Sequence, residues 1–183
     1  AAAELAVLGI PLLLAGETLP CPLPLDYETP QTLGVDRWLG ALAAHRHFGR
    51  SVVVDCGTAL TVNLVEADGT FRGGSIAPGL RAMARGLGAS APALPALDLA
   101  LAAALPPRSS ASAVSTGLLL AFCGAVERLV ADTIAAARGP CTVVLTGGHA
   151  EDYLRRGRLV PQHVPDLVHQ GLRLLAEESA WNG

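Results

Sequence analysis

Asp55-Cys56-Gly57-Thr58 lies between two apolar runs, so a carboxylate, a glycine and a hydroxyl share one short turn. A carboxylate in such a turn can hold a cation beside phosphate groups, and a threonine offers both its hydroxyl and its N–H to phosphate oxygens. Gly57 has no Cβ and tolerates φ > 0, which lets a ligand approach the backbone. By itself the tetrapeptide reads equally well as a strand ending in a turn. Gly147-Gly148, after the apolar run 142–145, offers the same close approach to a nucleotide. Asp36-Arg37 opens a helical pattern, where the helix dipole favours a carboxylate and the neighbouring guanidinium could grip an anionic group. Taken alone, that pair is better read as an ordinary helix start with a solvated ion pair. Asp68-Gly69-Thr70 shares the composition of the first turn but sits between two period-two runs, and reads as a hairpin turn.

Elements in a definite order must position these residues. Residues 5–14 read as a strand region bent at Gly9 and Pro11, and Pro20, Pro22, Pro24 and Pro30 keep 15–33 extended or turning. A helix is predicted over 34–48, with Leu39, Leu42 and Ala43 on one face. Period-two patterning then predicts strands at 52–55, 59–66 and 71–76, and a helix after Pro78-Gly79, over 80–87. The Ala/Leu/Pro-rich stretch 90–107 reads as a surface excursion with a short helix. A long helix over 112–138 stops at Gly139-Pro140. A buried strand at 142–145, a helix at 151–156, a short strand near 163–164 and a helix over 166–178 complete a mixed α/β layer architecture without internal repeats.

The 183 residues suffice for one good-sized domain or two small lobes, and a 51% hydrophobic, 4% aromatic composition describes a globular, soluble chain with an Ala/Leu/Val core. The net charge of −3 and the scarcity of aromatics argue against nucleic-acid binding. All 13 basic residues are arginine, which excludes a P-loop and a Schiff-base enzyme, since both need lysine. Cys21, Cys56, Cys123 and Cys141 have no paired spacing and read as buried thiols of a reducing cytosol. The five histidines form no metal-spaced cluster. Pro92, Pro95 and Asp98 interrupt the apolar segment 87–105, so no membrane span is expected there, nor is a signal peptide. A chain that opens Ala1-Ala2-Ala3 and holds its only methionine at Met83 is expected to lack its natural start.

The order of elements resembles the second lobe of the actin-like ATPase superfamily, whose fold is ribonuclease H-like. The wording of four segments narrows this: Gly34-Val35-Asp36-Arg37, then Asp55 to Val62, then Gly73-Gly74-Ser75-Ile76-Ala77-Pro78-Gly79-Leu80, then Thr146-Gly147-Gly148. Together, in order and suitably spaced, they resemble type III pantothenate kinase over about residues 8–175. The resemblance implies ATP-dependent phosphorylation of the primary hydroxyl of pantothenate, the first committed step toward coenzyme A, in the cytoplasm. It implies that Asp36 is the proton acceptor and that Tyr27, Gly34, Val35, Asp36, Arg37 and Ser110 contact pantothenate. It further implies that Asp55 holds a monovalent cation, potassium or ammonium, and that Gly57, Thr58, Gly147 and Gly148 serve ATP with magnesium. A homodimer with the substrate pocket at the subunit interface is implied as well, and the long apolar helix is a natural element of that interface. The chemistry is coherent. Phosphoryl transfer has a loose transition state, so positioning and charge neutralisation matter more than base strength.

Some positions depart from the family pattern. Such kinases open with a first phosphate box, an aspartate followed by Gly-Asn-Thr, and nothing before Asp55 matches it. The expectation is therefore a remnant of the first lobe in residues 1–50, and a complete second lobe, with the nucleotide and cation motifs, in 51–183. If the chain is complete without that box, no measurable pantothenate phosphorylation is expected with ATP, magnesium and potassium. Asn63 stands where many members have aspartate, and Ser110 where they have threonine. A degenerate member acting as a non-catalytic binding or regulatory protein is the alternative reading, and a different actin-like kinase, for a sugar or acetate, is another.

Overall fold

A computed structural model of the chain describes residues 13–102 and 105–180. The strand region expected at 5–14 lies almost wholly outside them. Within the described part, 14–19 form a tight turn closed by the Gly16 N–H on the Leu19 carbonyl at 2.7 Å. The extended segment that follows reaches Phe71 through an isolated bridge at Leu25.

Helix α1 (Val35–Phe48) starts at the Gly34 cap. Strands β1 (Ser51–Cys56), β2 (Ala59–Val65) and β3 (Phe71–Pro78) form an antiparallel meander. Helix α2 (Leu80–Ser90), a 3-10 turn at Leu99–Leu101 and the long helix α3 (Ser110–Ala136) follow. The chain then returns to the sheet as β4 (Thr142–Thr146), and ends with α4 (Ala150–Leu154), β5 (Gln162–His163) and α5 (Leu167–Ala180). The sheet order is β3-β2-β1-β4-β5, with β4 parallel to β1 and β5 parallel to β4. This is a five-stranded mixed sheet flanked by helices, the α/β layer architecture expected.

Alternation along β1 decides which helix covers which face. Val52, Val54 and Cys56 point to a core shared with Leu60, Val62, Leu80, Tyr153 and the buried stripe of α3: Leu119, Phe122, Cys123, Val126 and Val130. Those α3 positions recur at helical spacing, so its apolarity serves the sheet. By length and composition α3 would also pass as a membrane span, with 39% of the tested window buried. On the opposite face, Val53 meets α1 and α5. There α1 is buried without interruption from Arg37 to Ala44, rather than along the single stripe expected, because α5 and Leu19, Leu23 and Leu33 of the preceding segment pack against it as well as the sheet. The α1–α5 crossing is close: a Cβ on Gly171 would lie 2.1 Å from the Leu39 carbonyl oxygen.

Helix boundaries shift from expectation by up to three residues, and two of the shifts have a local reason. α2 continues to Ser90, since no proline intervenes before Pro92. α4 stops at Leu154, where the Gly157 N–H turns back onto the Tyr153 carbonyl at 2.6 Å. The Asp68-Gly69 hairpin turn forms as expected, with Gly69 at φ 84° and the Asp68 carboxylate accepting from the Thr70 N–H.

Candidate active site

The site gathers where β1 and β4 end and α1 begins. In the sheet register, Asp55 pairs with Thr61 on β2 and Thr146 on β4, while Val53 pairs with Asn63. Period-two geometry therefore turns Asp55, Thr61 and Asn63 toward the α1 face. Asp36, Arg37, Asp55, Thr61, Asn63 and Thr146 line, together with Gly40, Val53 and Val168, one small cavity of about 10 Å³, the scale of a single water or a small ion. The Asp55 carboxyl is pushed up from the usual aspartate range, first by burial and then by the charge of Asp36. Among the described residues, no ion pair compensates either carboxylate.

Glycines make room around Asp55. Gly147 has φ +95°, and a Cβ there would sit 2.3 Å from Asp55 Oδ1 and 2.6 Å from Cys56 N. Left-handed backbone and close approach thus occur at Gly147, not at Gly57. Gly57 keeps a negative φ or extended backbone, and its missing Cβ only leaves space, 3.2 Å from Asp55 Oδ1. Gly148 faces open space. Thr58 is exposed at the tip of the β1–β2 turn, and the Gly79 N–H donates to its carbonyl at 3.2 Å. A Cβ on Gly79 would meet the Gly57 carbonyl oxygen at 2.3 Å, and one on Gly74 the Val62 carbonyl oxygen at 1.9 Å. The Gly73 to Leu80 segment thus shapes the turn from behind. Cys56 is no nucleophile here: burial first, then Asp55, Cys123 and Asp152, push its thiol up to about 12.

Asp36 is exposed, and its Oδ1 folds back to accept from the Arg37 N–H at 2.9 Å. A Cβ at Gly34 would stand 2.6 Å from that oxygen, so glycine at the cap permits this rotamer. Among the described residues, Arg37 pairs with neither carboxylate. Its Nε donates to Asn63 Oδ1 at 2.8 Å and its Nη1 to Tyr27 Oη at 3.2 Å. The guanidinium also faces the Tyr27 and Phe71 rings, 5.7 Å from each centroid. Asn63 in turn donates to Thr61 Oγ1 at 3.1 Å.

Of the residues expected at the site, the structure brings together Gly34, Asp36, Arg37, Tyr27, Asp55, Gly57 and Gly147, with Val35, Thr58 and Gly148 exposed at the margin. Ser110 is not among them. It is the exposed first residue of α3, beside Ser109, whose hydroxyl caps the helix in a reciprocal box with Ser112. Thr61, Asn63 and Thr146 were not expected as site residues. The first two carry a readable signal, since they alternate with apolar neighbours on the same face as Asp55. A larger cavity of about 700 Å³ opens between α2, residues 92–99 and α3, and reaches His149. His149 follows Gly148 directly and hydrogen-bonds Asp152 at 2.8 Å.

Comparison with known proteins places this geometry in a family. The sequence model of type III pantothenate kinase matches residues 2–132. Type III pantothenate kinases of Burkholderia cenocepacia and Alkalilimnicola ehrlichii are 36% and 39% identical, over 87% of this chain and 64% of their own length. That of Rhodopirellula baltica is 42% identical over 70% of this chain and 48% of its own length. The chain thus spans less than two thirds of the curated relatives it matches. Among solved structures, a protein of Campylobacter jejuni described as a conserved Baf family transcriptional activator superposes with a TM-score of 0.64 at 19% identity. It covers 87% of this chain, matched to 70% of that one, and shares the fold. With its family model matched across most of its length and its motifs converging on one carboxylate-lined cavity, this chain belongs to the type III pantothenate kinase family.

Proposed function

We propose that this chain forms the catalytic part of an enzyme that phosphorylates pantothenate on its primary hydroxyl at the expense of ATP, a cytoplasmic reaction opening coenzyme A synthesis. The observation that carries the reading is the convergence of Asp36 and Asp55 on one small cavity, with Gly147 pressed against Asp55. Asp36, exposed and free of any cation among the described residues, accepts the hydroxyl proton as the phosphoryl group arrives. The Gly34 to Arg37 helix start and Tyr27 bind pantothenate, and Arg37 engages its carboxylate.

A cation fits beside Asp55. The carboxylate is strained by burial and by Asp36, and the hydroxyl oxygens of Thr61 and Thr146 on the same cavity are hard ligands of the type potassium takes. Gly57, Thr58, Gly147 and Gly148 border the phosphates of ATP. The larger cavity at His149 has the size for its nucleoside part. When bound, ATP supplies the phosphoryl group and magnesium with the monovalent cation neutralises its charge. Ser110, remote from this group on α3, contributes to pantothenate binding across the interface of a homodimer.

Turnover is read by mass detection of 4′-phosphopantothenate from the enzyme containing this chain, with ATP, magnesium, potassium and pantothenate. Asp36→Asn is expected to lose about 10²–10⁴-fold in kcat with little change in pantothenate affinity. Undiminished turnover in that variant, or phosphorylation of a hexose or acetate instead of pantothenate, overturns the reading.

A further inference from the structure

His149 is a largely buried histidine held from two sides. Its backbone N–H donates to the Cys56 carbonyl at 2.9 Å, which ties it to the end of β1. Its ring bonds Asp152 Oδ2 through Nδ1 at 2.8 Å, the two side chains being 15% and 18% exposed. A carboxylate only accepts, so the ring proton sits on Nδ1. Tyr153, next to Asp152 and fully buried in the core, anchors the short helix that carries the acid. One polar ring atom remains, Nε2, with no protein partner among the described residues. The ring lines the cavity of about 700 Å³ between α2 and α3, whose other walls include Arg81, Arg85, Leu97, Leu99 and Leu118. Neither arginine forms an ion pair among the described residues, and guanidinium planes with leucines suit a flat base. Gly147 and Gly148, which border the phosphates in the proposed reading, immediately precede His149. The sugar of a nucleotide lies between its phosphates and its base, and His149 is the wall residue at that junction. Asp98, a carboxylate on the same wall, already accepts from the Ala100 N–H at 3.0 Å.

We propose that His149, oriented by Asp152, is a specificity-determining residue whose Nε2 hydrogen-bonds a ribose hydroxyl and so selects ribonucleotides, a role that rests on the nucleotide reading of this cavity. A hydroxyl both donates and accepts, so it pairs with the nitrogen that the Asp152 bond leaves over. A sugar without hydroxyls leaves that nitrogen unpartnered, which is how a site rejects an analogue lacking the group. A purely structural pair would instead do no more than hold the start of α4.

Two substitutions separate these roles. His149→Asn puts an amide near the Nδ1 position, so it keeps a partner for Asp152 and leaves nothing at Nε2. His149→Gln reaches the Nε2 position and gives up the Asp152 bond. Affinities for ATP and for 2′,3′-dideoxy-ATP are read on the enzyme containing this chain, from the rise in melting temperature over a nucleotide concentration series at constant magnesium. The wild type is expected to bind ATP about fivefold to tenfold more tightly, the worth of one hydrogen bond. His149→Asn is expected to bind both nucleotides as the wild type binds the dideoxy compound, and His149→Gln to keep part of the preference. Should His149→Asn melt lower without ligand, the ratio of its two affinities still decides, because a structural loss weakens both nucleotides alike. Equal binding of the two nucleotides by the wild type, or an undiminished preference in His149→Asn, overturns the role of His149 while the nucleotide reading stands. A preference lost only in His149→Gln also overturns it, leaving the pair a structural one. If neither nucleotide stabilises the wild type, the nucleotide reading fails and the ribose contact falls with it.

Discussion

Asp36 and Asp55 lie near one another, yet their surroundings assign them different work. Asp36 is exposed at a helix start, while Asp55 sits deeper, its carboxyl raised by burial and by the charge of Asp36. Keeping Asp55 ionised at neutral pH costs the free protein stability, a common trade-off at sites built for a ligand. Asp55→Asn is accordingly expected to raise the melting temperature in the absence of ligands, by an amount equivalent to about 0.5–2 kcal/mol; with a monovalent cation held at Asp55, as proposed, it also removes any potassium dependence of turnover. A lower melting temperature would count against the repulsion described. Gly147 is the other residue with little freedom. Gly147→Ala adds a methyl group against Asp55 and Cys56 at φ +95°, and is expected to cost about 1–3 kcal/mol, seen as an earlier midpoint in urea. Neither constraint is legible locally. The contact of Gly147 with Asp55 exists only because β4 pairs parallel with β1, across about 90 residues of chain. Likewise, the Arg37–Asn63 bond joins a helix to a strand, and no short pattern announces it.

At the opposite end of the sheet, Glu66 follows β2 as a 2% exposed carboxylate. It accepts from Arg50 Nε at 2.6 Å and from the Arg138 N–H at 3.2 Å, tying the start of β1 and the end of α3 to the meander. Burial alone would raise its pKa, but the Arg50 and Arg138 hydrogen bonds and their charges outweigh it and hold the carboxyl below the ordinary glutamate range. The folded-state pKa is thus depressed, so the contribution to stability is full above the unfolded glutamate pKa and fades as pH falls through the folded one. Glu66→Gln is expected to lose about 1.5–3 kcal/mol at pH 7, and the gap between variant and wild type should close on acidification in pH-dependent melts. At this scale the sequence was most legible. Alternating Val and Leu marked the strands, Gly139-Pro140 marked the end of the long helix, and Asp-Gly marked the hairpin. The register-dependent roles of Thr61 and Asn63 were readable from period two once Asp55 was placed on the α1 face. Residues 15–33, dense in proline and without period, offered no such handle, and Tyr27 could be placed only by resemblance.

Across the whole molecule, α3 presents a buried stripe to the sheet and an outer face on which Leu120 and Ile134 are 37% and 38% exposed. If that face joins two copies, Leu120→Arg is expected to shift the species seen in sedimentation from dimer toward monomer while leaving the far-UV circular dichroism unchanged. A wild-type monomer at micromolar concentration would rule out this interface. The mixed α/β layering was foreseeable from the order of elements, whereas the continuous burial of α1 was not, because it depends on α5, more than a hundred residues later, and on Leu19, Leu23 and Leu33 of the segment before it. That burial has a mechanical consequence. α1 packs against both the sheet and α5 and is joined to β1 by only Gly49 and Arg50, so rigid elements hold the separation of Asp36 and Asp55. Tyr27, by contrast, hangs on a strap pinned near Phe71 by the Asp26 N–H to the Phe71 carbonyl and the Phe71 N–H to the Pro24 carbonyl. Motion that admits a ligand therefore has a natural hinge at that pin, and amide exchange should be slowest along β1 and α1 and fast along the strap.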